Sequence, residues 1–201
     1  MEEMYLRNPK NTVNYLSKAH VGIAGCGGLG SNVAIMLARS GVKHLTLVDF
    51  DVVEITNLNR QAFRLSQLGM SKCDALKQLI EEINPSIIVE LHHVVLDEVN
   101  MPNIFNCCNV VCEALDSPIS KAIFINSMLV NNKIVVSGNG MAGVHSSNSI
   151  VTTRSFKNLY VCGDSSSSLE EGMLATRVML CSAHMAHTIV RIICERELKY
   201  V

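Results

Sequence analysis

The sequence predicts an α/β fold of the Rossmann-like, doubly wound kind, in which a mostly parallel sheet carries helices on both faces. Two observations indicate this class. Short β-like apolar runs alternate along the 201 residues with longer stretches of helical periodicity, which is the pattern of βαβ units. The segment GCGGLG at 25–30 directly follows the first apolar run and opens a helical stretch, as glycine-rich turns do in such sheets.

Each element is assigned from its apolar periodicity and from the residues that start or stop it. The helix after the glycine-rich turn ends before Gly41, because glycine favours a helix C-terminus. Pro85 stops the next long helix, and Pro118 suits the first turn of a later one. The predicted strands are 21–25, 44–49, 87–91, 110–114 and 133–137, with a further strand at 149–153, and the predicted helices are 11–18, 29–40, 71–83, one from 118, and 170–197.

Length and composition indicate one domain. A chain of 201 residues is close to the usual ~150 residues per domain. Hydrophobic residues make up 48% and charged residues 17%, which excludes intrinsic disorder. Within the single domain 1–201 we expect an N-terminal arm at 1–18, a nucleotide-binding core at 19–145, and a loop with a closing helix at 146–201, including a mobile surface loop at 162–168.

Charge and hydropathy exclude several function classes. Seventeen Lys and Arg against eighteen Asp and Glu give a net charge of −1, so no broad positive field favours nucleic acid or an anionic membrane. No uninterrupted apolar run approaches the ~18–20 residues of a membrane-spanning helix, and the first residues lack the layout of a secretory signal. We therefore expect a cytoplasmic protein whose eight cysteines are reduced.

Four glycines, Gly25, Gly27, Gly28 and Gly30, indicate a nucleotide site. Without side chains, they let backbone N–H groups and a helix N-terminus approach a phosphate. Asp49 closes the next predicted strand, 19 residues after Gly30, where a carboxylate accepts hydrogen bonds from ribose hydroxyls. The alternative is that the glycines only allow close packing of helix on sheet, but the strand, the helix and the acid together favour a nucleotide.

Charged and amide residues beyond the glycines favour a triphosphate. The chain lacks a GxxxxGK[ST] loop, so the positive charge must come from elsewhere. Asn57, Arg60 and Lys72 follow the second strand, toward the carboxyl edge of the sheet where ligands bind in doubly wound folds. Asp116 follows the fourth strand at the same edge, where a carboxylate beside phosphates is typical of a Mg²⁺ site. Taken singly, each has an ordinary explanation, such as a surface cation or, for Asp116, a helix N-cap.

Five segments, in this order, resemble the ThiF/MoeB family of adenylyltransferases, and the short form of the chain is nearer to the small ThiF-type proteins. The segments are GCGGLGS at 25–31, DFD at 49–51, NLNRQ at 57–61, GMSK at 69–72 and LDS at 115–117. The resemblance implies that the C-terminal glycine carboxylate of a small ubiquitin-like sulfur carrier protein, ending in GlyGly, attacks the α-phosphate of ATP. By the same resemblance, pyrophosphate is expected to leave, Mg²⁺ is the expected cofactor, and a homodimer is the expected assembly.

The resemblance also assigns binding roles. Gly28 would cradle phosphate within the loop formed by the four glycines, Asp49 would bind the ribose, and Ser117 would assist at the adenosine. Arg7 is the only arginine early enough to match a family residue that reaches the ATP of the partner subunit.

The catalytic candidates implied by the resemblance are Arg60, Lys72 and Asp116. Asn57 and Arg60 would contact the phosphates, Lys72 the region of the α- and γ-phosphates, and Asp116 would hold the Mg²⁺. Such chemistry depends on fixed charges and on positioning rather than on a general base.

The C-terminal third departs from the family pattern. Family members usually bind zinc through two CxxC pairs, whereas only Cys162 stands near the first pair here, so we expect no zinc. The stretch 165–176 has no cysteine for a covalent link to the carrier. Cys181, His184 and His187, spaced by three on the last helix, are explained by packing more simply than by a metal.

Competing functions stay open at this point. A ThiS-like carrier of thiamine thiazole biosynthesis is favoured, with a MoaD-type carrier for molybdopterin as the alternative. An NAD-dependent oxidoreductase is favoured by the glycine motif alone, but the chain has no room for a second catalytic domain. A nucleotide-binding module without turnover is disfavoured because the expected charged residues are present.

Overall fold

A computed structural model describes residues 2–198, which form a seven-stranded sheet with helices on both faces. The strand order is β3-β2-β1-β4-β5-β7-β6, and all neighbouring strands are parallel except β6, which runs antiparallel to β7. The strands are β1 (His20–Ala24), β2 (His44–Val48), β3 (Ile88–His92), β4 (Val110–Glu113), β5 (Ile134–Gly138), β6 (Val151–Phe156) and β7 (Leu159–Gly163). The helices are α1 (Thr12–Leu16), α2 (Gly28–Ser40), α3 (Lys72–Ile83), α4 (Met101–Ile104), α5 (Pro118–Val130) and α6 (Ala175–Leu198). The predicted fold class is confirmed.

The first strand lies near the middle of the sheet. β1 pairs with β2 on one side and with β4 on the other, so the chain changes direction across the sheet at β1. In doubly wound folds ligands bind at this switch point, beyond the carboxyl ends of the strands. Every residue of β4 and β5 is buried. Both strands begin with consecutive apolar residues, as strands covered on both faces of a parallel sheet do.

Local sequence signals set the helix ends that surround this edge. Gly41 follows α2 with φ 110°, a left-handed conformation that costs glycine little. Ser71 caps α3, because its hydroxyl accepts a hydrogen bond from the N–H of Asp74. Ser117 caps α5, and Pro118 occupies its first position.

Two apolar layers cover the two faces of the sheet. On one face α2, α3 and α6 pack over the strands, and Val33, Leu37, Val178 and Met185 are fully buried there. On the other face α4 and α5 close a smaller core, in which Phe105 and Phe124 meet edge to face with ring centroids 5.4 Å apart.

α6 packs against the core of the protein, although its composition would also suit a membrane-spanning helix. Its segment Ala175–Glu195 has a mean hydropathy of 1.2, so by length and composition alone it could cross a membrane, although Arg177 and Arg191 interrupt its apolar residues. Half of the segment is buried within the protein, against α2 and the sheet. The burial explains why an apolar helix of this length occurs in an α/β domain.

The region after residue 146 contains more sheet than the sequence predicted. β7 was not predicted, and it lies between β5 and β6. The expectation of a mobile surface loop at 162–168 is wrong at its start, because Cys162 and Gly163 belong to β7 and Cys162 is fully buried. The segment is short and is followed by Asp164 and four serines, a composition typical of a loop. The short helix α4 was also not predicted.

Candidate functional site

A cavity of about 650 Å³ opens at the carboxyl edge of the sheet, a volume typical of small-molecule sites. The structure brings most of the predicted site residues to its wall. Those lining it are Gly25, Gly27, Gly28, Asp49, Asn57, Arg60, Lys72, Asp116 and Ser117. A second cavity, of about 570 Å³, lies toward the amino edge and contains none of them.

The glycines of the loop have different structural roles: some allow its tight backbone turn, and others leave space for a ligand. Gly25 has φ 90° and donates its N–H to the carbonyl of Val48, which fixes the turn after β1. A Cβ at Gly30 would lie 1.8 Å from the carbonyl oxygen of Gly25, so Gly30 permits the tight fold of the loop and does not line the cavity. A Cβ at Gly27 would meet only the Nε2 of Gln61, at 3.8 Å. Gly27 therefore leaves free space where a ligand can approach the backbone.

Asp49 is anchored to this loop. Its Oδ2 accepts from the N–H of Cys26 at 2.6 Å, and its Oδ1 accepts from the N–H of Asp51 at 2.9 Å. The Cys26 side chain points into the protein, with its Sγ 4.0 Å from that of Cys73. That contact and burial raise the pKa of the Cys26 thiol well above its usual value, so the thiol is neutral and remote from the cavity.

Arg60 is held over the glycine loop. Its Nη1 donates to the carbonyl of Thr56 at 2.9 Å and to Oδ1 of Asn59 at 2.8 Å. Its Cγ lies 3.7 Å from the position of a Cβ at Gly28, so the aliphatic part of the side chain packs on the loop. The guanidinium keeps donors on its other nitrogens, which suit phosphate oxygens.

Asn57 and Lys72 form the wall after β2, and both are more than nine-tenths buried. Oδ1 of Asn57 accepts from the N–H of Glu54 at 3.1 Å, which leaves the amide NH₂ group as a donor toward the cavity. Nζ of Lys72 lies 2.6 Å from Oδ2 of Asp51. The sequence did not predict this ion pair, and a phosphate must compete with Asp51 for the ammonium group.

Asp116 is an exposed carboxylate at the rim. The N-cap of α5 is Ser117, whose Oγ accepts from the N–H of Ser120 at 3.4 Å, so Asp116 is not the cap. Within residues 2–198 the Asp116 side chain makes no hydrogen bond. A free carboxylate beside a phosphate cavity fits Mg²⁺, which prefers a few carboxylate oxygens together with water and phosphate oxygens.

A buried ion pair at the ends of β4 and β5 was missed from the sequence. Glu113 is fully buried and accepts from Nζ of Lys121 at 2.5 Å, from Oγ of Ser137 at 2.6 Å and from the N–H of Leu115 at 2.8 Å. Lys121 also donates to the carbonyl of Gly138 at 2.9 Å, and it lines the cavity. Glu113 could have been found from the sequence, because it is an acidic residue at the end of an apolar strand, as Asp49 is.

A second buried ion pair holds together the loops that follow β5 and β7. The guanidinium of Arg177 pairs with Asp164, and the two side chains are 5% and 3% exposed. Arg177 also donates to the carbonyl of Ser146 at 2.8 Å. Burial raises the pKa of Asp164, but hydrogen bonds from Ser167 and Ser166 and the charge of Arg177 outweigh it, and the pKa falls to about 2. The pair joins the loops after β5 and β7 to the start of α6.

Arg7 does not reach the cavity of its own chain. It is exposed, and nearby Tyr5 donates its hydroxyl to the carbonyl of Ala38, close to the end of α2 that faces away from the cavity. Arg7 is therefore not placed to contact a nucleotide in the cavity of its own chain.

The cysteine and histidines of α6 do not converge on a metal. Sγ of Cys181 donates to the buried carbonyl of Cys162, whereas Nδ1 of His184 lies 3.0 Å from Oγ1 of Thr152 and His187 is exposed. Over the described part of the chain, no group of three or more His, Cys, Asp or Glu side chains is arranged to hold a metal ion.

Comparisons with known proteins identify the family of the chain. The sequence profile of the ThiF family matches residues 5–201. The adenylyltransferase and sulfurtransferase UBA4 of Eremothecium gossypii is 39% identical over 128 residues, which are 63% of this chain and 29% of that protein. MOCS3 of Culex quinquefasciatus, which has the same description, is 33% identical over 127 residues, again 63% of this chain and 29% of that protein. The chain thus spans less than a third of the length of these curated relatives.

Solved structures show the same fold. The Escherichia coli tRNA N6-threonylcarbamoyladenosine dehydratase TcdA, in complex with AMP, superposes with a TM-score of 0.89 at 20% identity, covering 98% of this chain and 95% of that one. E. coli MccB superposes with a TM-score of 0.74 at 20% identity, covering 90% and 58%. Because the family profile matches nearly the whole sequence, the resemblance seen in the motifs is confirmed, and the chain belongs to the ThiF family.

Proposed function

We propose that this protein is an ATP-dependent adenylyltransferase that activates the C-terminal glycine carboxylate of a small ubiquitin-like sulfur carrier protein and releases pyrophosphate. The observation that carries the proposal is that one cavity is lined by the glycine loop, by Asn57, Arg60 and Lys72, and by the exposed Asp116. Family membership and the names of the curated relatives support the same activity.

The reaction needs phosphate neutralisation and positioning. The glycine-loop backbone and Arg60 bind phosphate oxygens, Asn57 donates its amide group, and Asp49 accepts from the ribose hydroxyls. Lys72 exchanges Asp51 for the phosphates when ATP binds. Mg²⁺, held by Asp116, would neutralise phosphate charge. A carboxylate nucleophile is already ionised at pH 7, so no general base is required.

The proposal also names a carrier protein and an oligomeric state. A ThiS-like carrier in thiamine thiazole biosynthesis is the proposed substrate, with a MoaD-type carrier as the alternative. The enzyme would act in the cytoplasm as a homodimer, in which Arg7 reaches the ATP of the other subunit. The exposed position of Arg7, remote from its own cavity, is compatible with this arrangement.

Pyrophosphate exchange tests the activity. We expect exchange of labelled pyrophosphate into ATP only with a carrier that ends in GlyGly, and none with the same carrier lacking its last glycine. Arg60→Ala and Asp116→Asn should each lower the rate roughly a hundredfold, as the loss of one fixed electrostatic group does. Lys77→Ala, on the exposed face of α3, is the matched control. Tight NADH binding without carrier-dependent exchange would favour the oxidoreductase instead.

Mixing inactive variants tests the dimer. If Arg7 acts across subunits, Arg7→Ala and Asp116→Asn together recover part of the activity, because one of the two sites in a mixed dimer is intact. Recovery should appear only after the subunits have had time to exchange, and its absence in a verified mixed dimer would leave Arg7 without a role.

A further inference from the structure

Lys121 and Glu113 form an ion pair that the phosphate chemistry described above does not use. Glu113 is fully buried, and the Lys121 side chain is 22% exposed. Three donors reach the carboxylate of Glu113, from Leu115, Lys121 and Ser137. The ammonium group of Lys121 in turn donates to Glu113, at the end of β4, and to the carbonyl of Gly138, at the end of β5, so both strands hold it in place.

Stability does not explain why the pair is present. Lys121 is the fourth residue of α5, near the helix N-terminus, where the helix dipole disfavours a cation. Glu113 closes a strand that is otherwise apolar and buried. Because a buried ion pair gains little over apolar residues of similar size, a charged pair that breaks local preferences is best explained by a function.

The position of Lys121 separates it from the phosphate cations. Arg60 and Lys72 come from the segment after β2, whereas Lys121 is held at the ends of β4 and β5, which lie on the other side of β1 in the sheet. Its ammonium group has three N–H donors. One is directed to Glu113 and one to the carbonyl of Gly138, which leaves one donor for a ligand in the cavity that Lys121 lines.

We propose that Lys121 binds the carboxylate of the incoming carrier C-terminus, and that Glu113 is its positioning residue. This inference rests on the proposed adenylation. One carboxylate oxygen attacks the α-phosphorus and forms a new P–O bond, while the bond from the α-phosphorus to the bridging oxygen breaks and pyrophosphate leaves. No proton is transferred. Lys121 donates to the other carboxylate oxygen, which becomes the carbonyl oxygen of the acyl-adenylate.

Two probes separate this role from nucleotide binding. AMP reports on the nucleotide alone, and 5′-O-(N-glycylsulfamoyl)adenosine, a stable analogue of the glycyl adenylate, adds the carbonyl group that Lys121 would contact. Dissociation constants for both are measured by calorimetry. Lys121→Met alone would strand a buried carboxylate, so the test uses the double variant Glu113→Gln/Lys121→Met, which replaces both charges by neutral groups of similar size.

We expect the double variant to bind AMP within about twofold of the wild type and to lose about tenfold or more in affinity for the glycyl analogue, as the loss of a hydrogen bond from a charged donor does. Lys77→Met should change neither affinity. Equal losses for AMP and the analogue, or no loss for either, would overturn the assignment. A wild-type protein that binds neither probe would instead refute the proposed adenylation, and this inference with it.

Discussion

Replacing Asp164 by asparagine removes the negative charge that joins the loops after β5 and β7 to α6. Asparagine has nearly the same shape, and its Oδ1 can still accept from the N–H groups of Ser166 and Ser167, as Asp164 does at 2.9 and 2.8 Å. The buried guanidinium of Arg177 loses its counter-ion. The substitution therefore tests the electrostatic contribution of the pair with little change in packing.

The magnitude follows from the pKa. Asp164 has a pKa of about 2 in the folded protein, against about 3.9 for an unperturbed aspartate. Such a difference corresponds to roughly 2–3 kcal/mol in the free energy of unfolding at neutral pH. Because Arg177 also stays buried without a counter-ion, we expect Asp164→Asn to lower the free energy of unfolding by about 3 kcal/mol at pH 7.

The same pKa fixes the pH dependence. As pH falls below about 4, the unfolded chain takes up a proton at Asp164 while the folded protein does not until about pH 2. The stabilisation is therefore fully present above about pH 4 and is lost between about pH 4 and pH 2. Over this interval the stability difference between the wild type and Asp164→Asn should shrink.

Urea unfolding of both proteins from pH 2.5 to pH 7 measures this difference. Glu82→Gln is the control, because its pair with Arg64 is exposed on both sides, and its effect should be small. A loss below about 1 kcal/mol for Asp164→Asn at pH 7, or a difference that stays constant down to pH 2.5, would refute the reasoning.

Three further predictions concern single residues. Gly30→Ala places a Cβ 1.8 Å from the carbonyl oxygen of Gly25. We expect urea unfolding to show a loss of ~1–3 kcal/mol or more in the free energy of unfolding, and a variant as stable as the wild type would contradict that geometry. Asp51→Asn frees Lys72 from its ion pair and should tighten ATP binding, by up to about fivefold in calorimetry without Mg²⁺, whereas weaker binding would mean that Asp51 itself belongs to the nucleotide site. Cys162→Ser, at a fully buried thiol, should cost ~1–3 kcal/mol in stability yet leave carrier-dependent exchange intact, and a folded variant without activity would show that the chemistry needs this thiol.

Elements with local signals were predictable from the sequence. The end of α2 follows from Gly41, and the starts of α3 and α5 follow from Ser71 and Pro118, because capping and backbone preference act within one turn. Most of these elements lie within one or two residues of their predicted bounds.

β7 was not predictable in the same way, because its pairing is a long-range property. Its five residues form a strand by inserting between β5 and β6, with Tyr160 beside Val136 and Arg154. Tyr160 and Val161 favour a strand, but the run is short and does not show which strands it pairs with.

Some site residues could be predicted from the sequence and others could not. Asn57, Arg60 and Asp116 were predictable because parallel strands bring their carboxyl ends to one edge of the sheet. Lys121 is the one charged residue of the apolar helix α5, but the helix sequence alone does not show which group its ammonium meets. Only the contact with Glu113, on another element, distinguishes it.

The contact between α2 and α6 has a consequence for biosynthesis. The hydroxyl of Ser182 donates to the carbonyl of Leu29, across 153 residues of sequence. A ribosome that adds 5–20 residues per second needs about 8–30 s to cover that distance. During this interval β1, α2 and β2 have emerged while the apolar side of α2, including Val33 and Leu37, still lacks its cover. The early half of the chain is therefore exposed to aggregation until the last helix is made, because this face of the sheet is covered completely only after translation of α6.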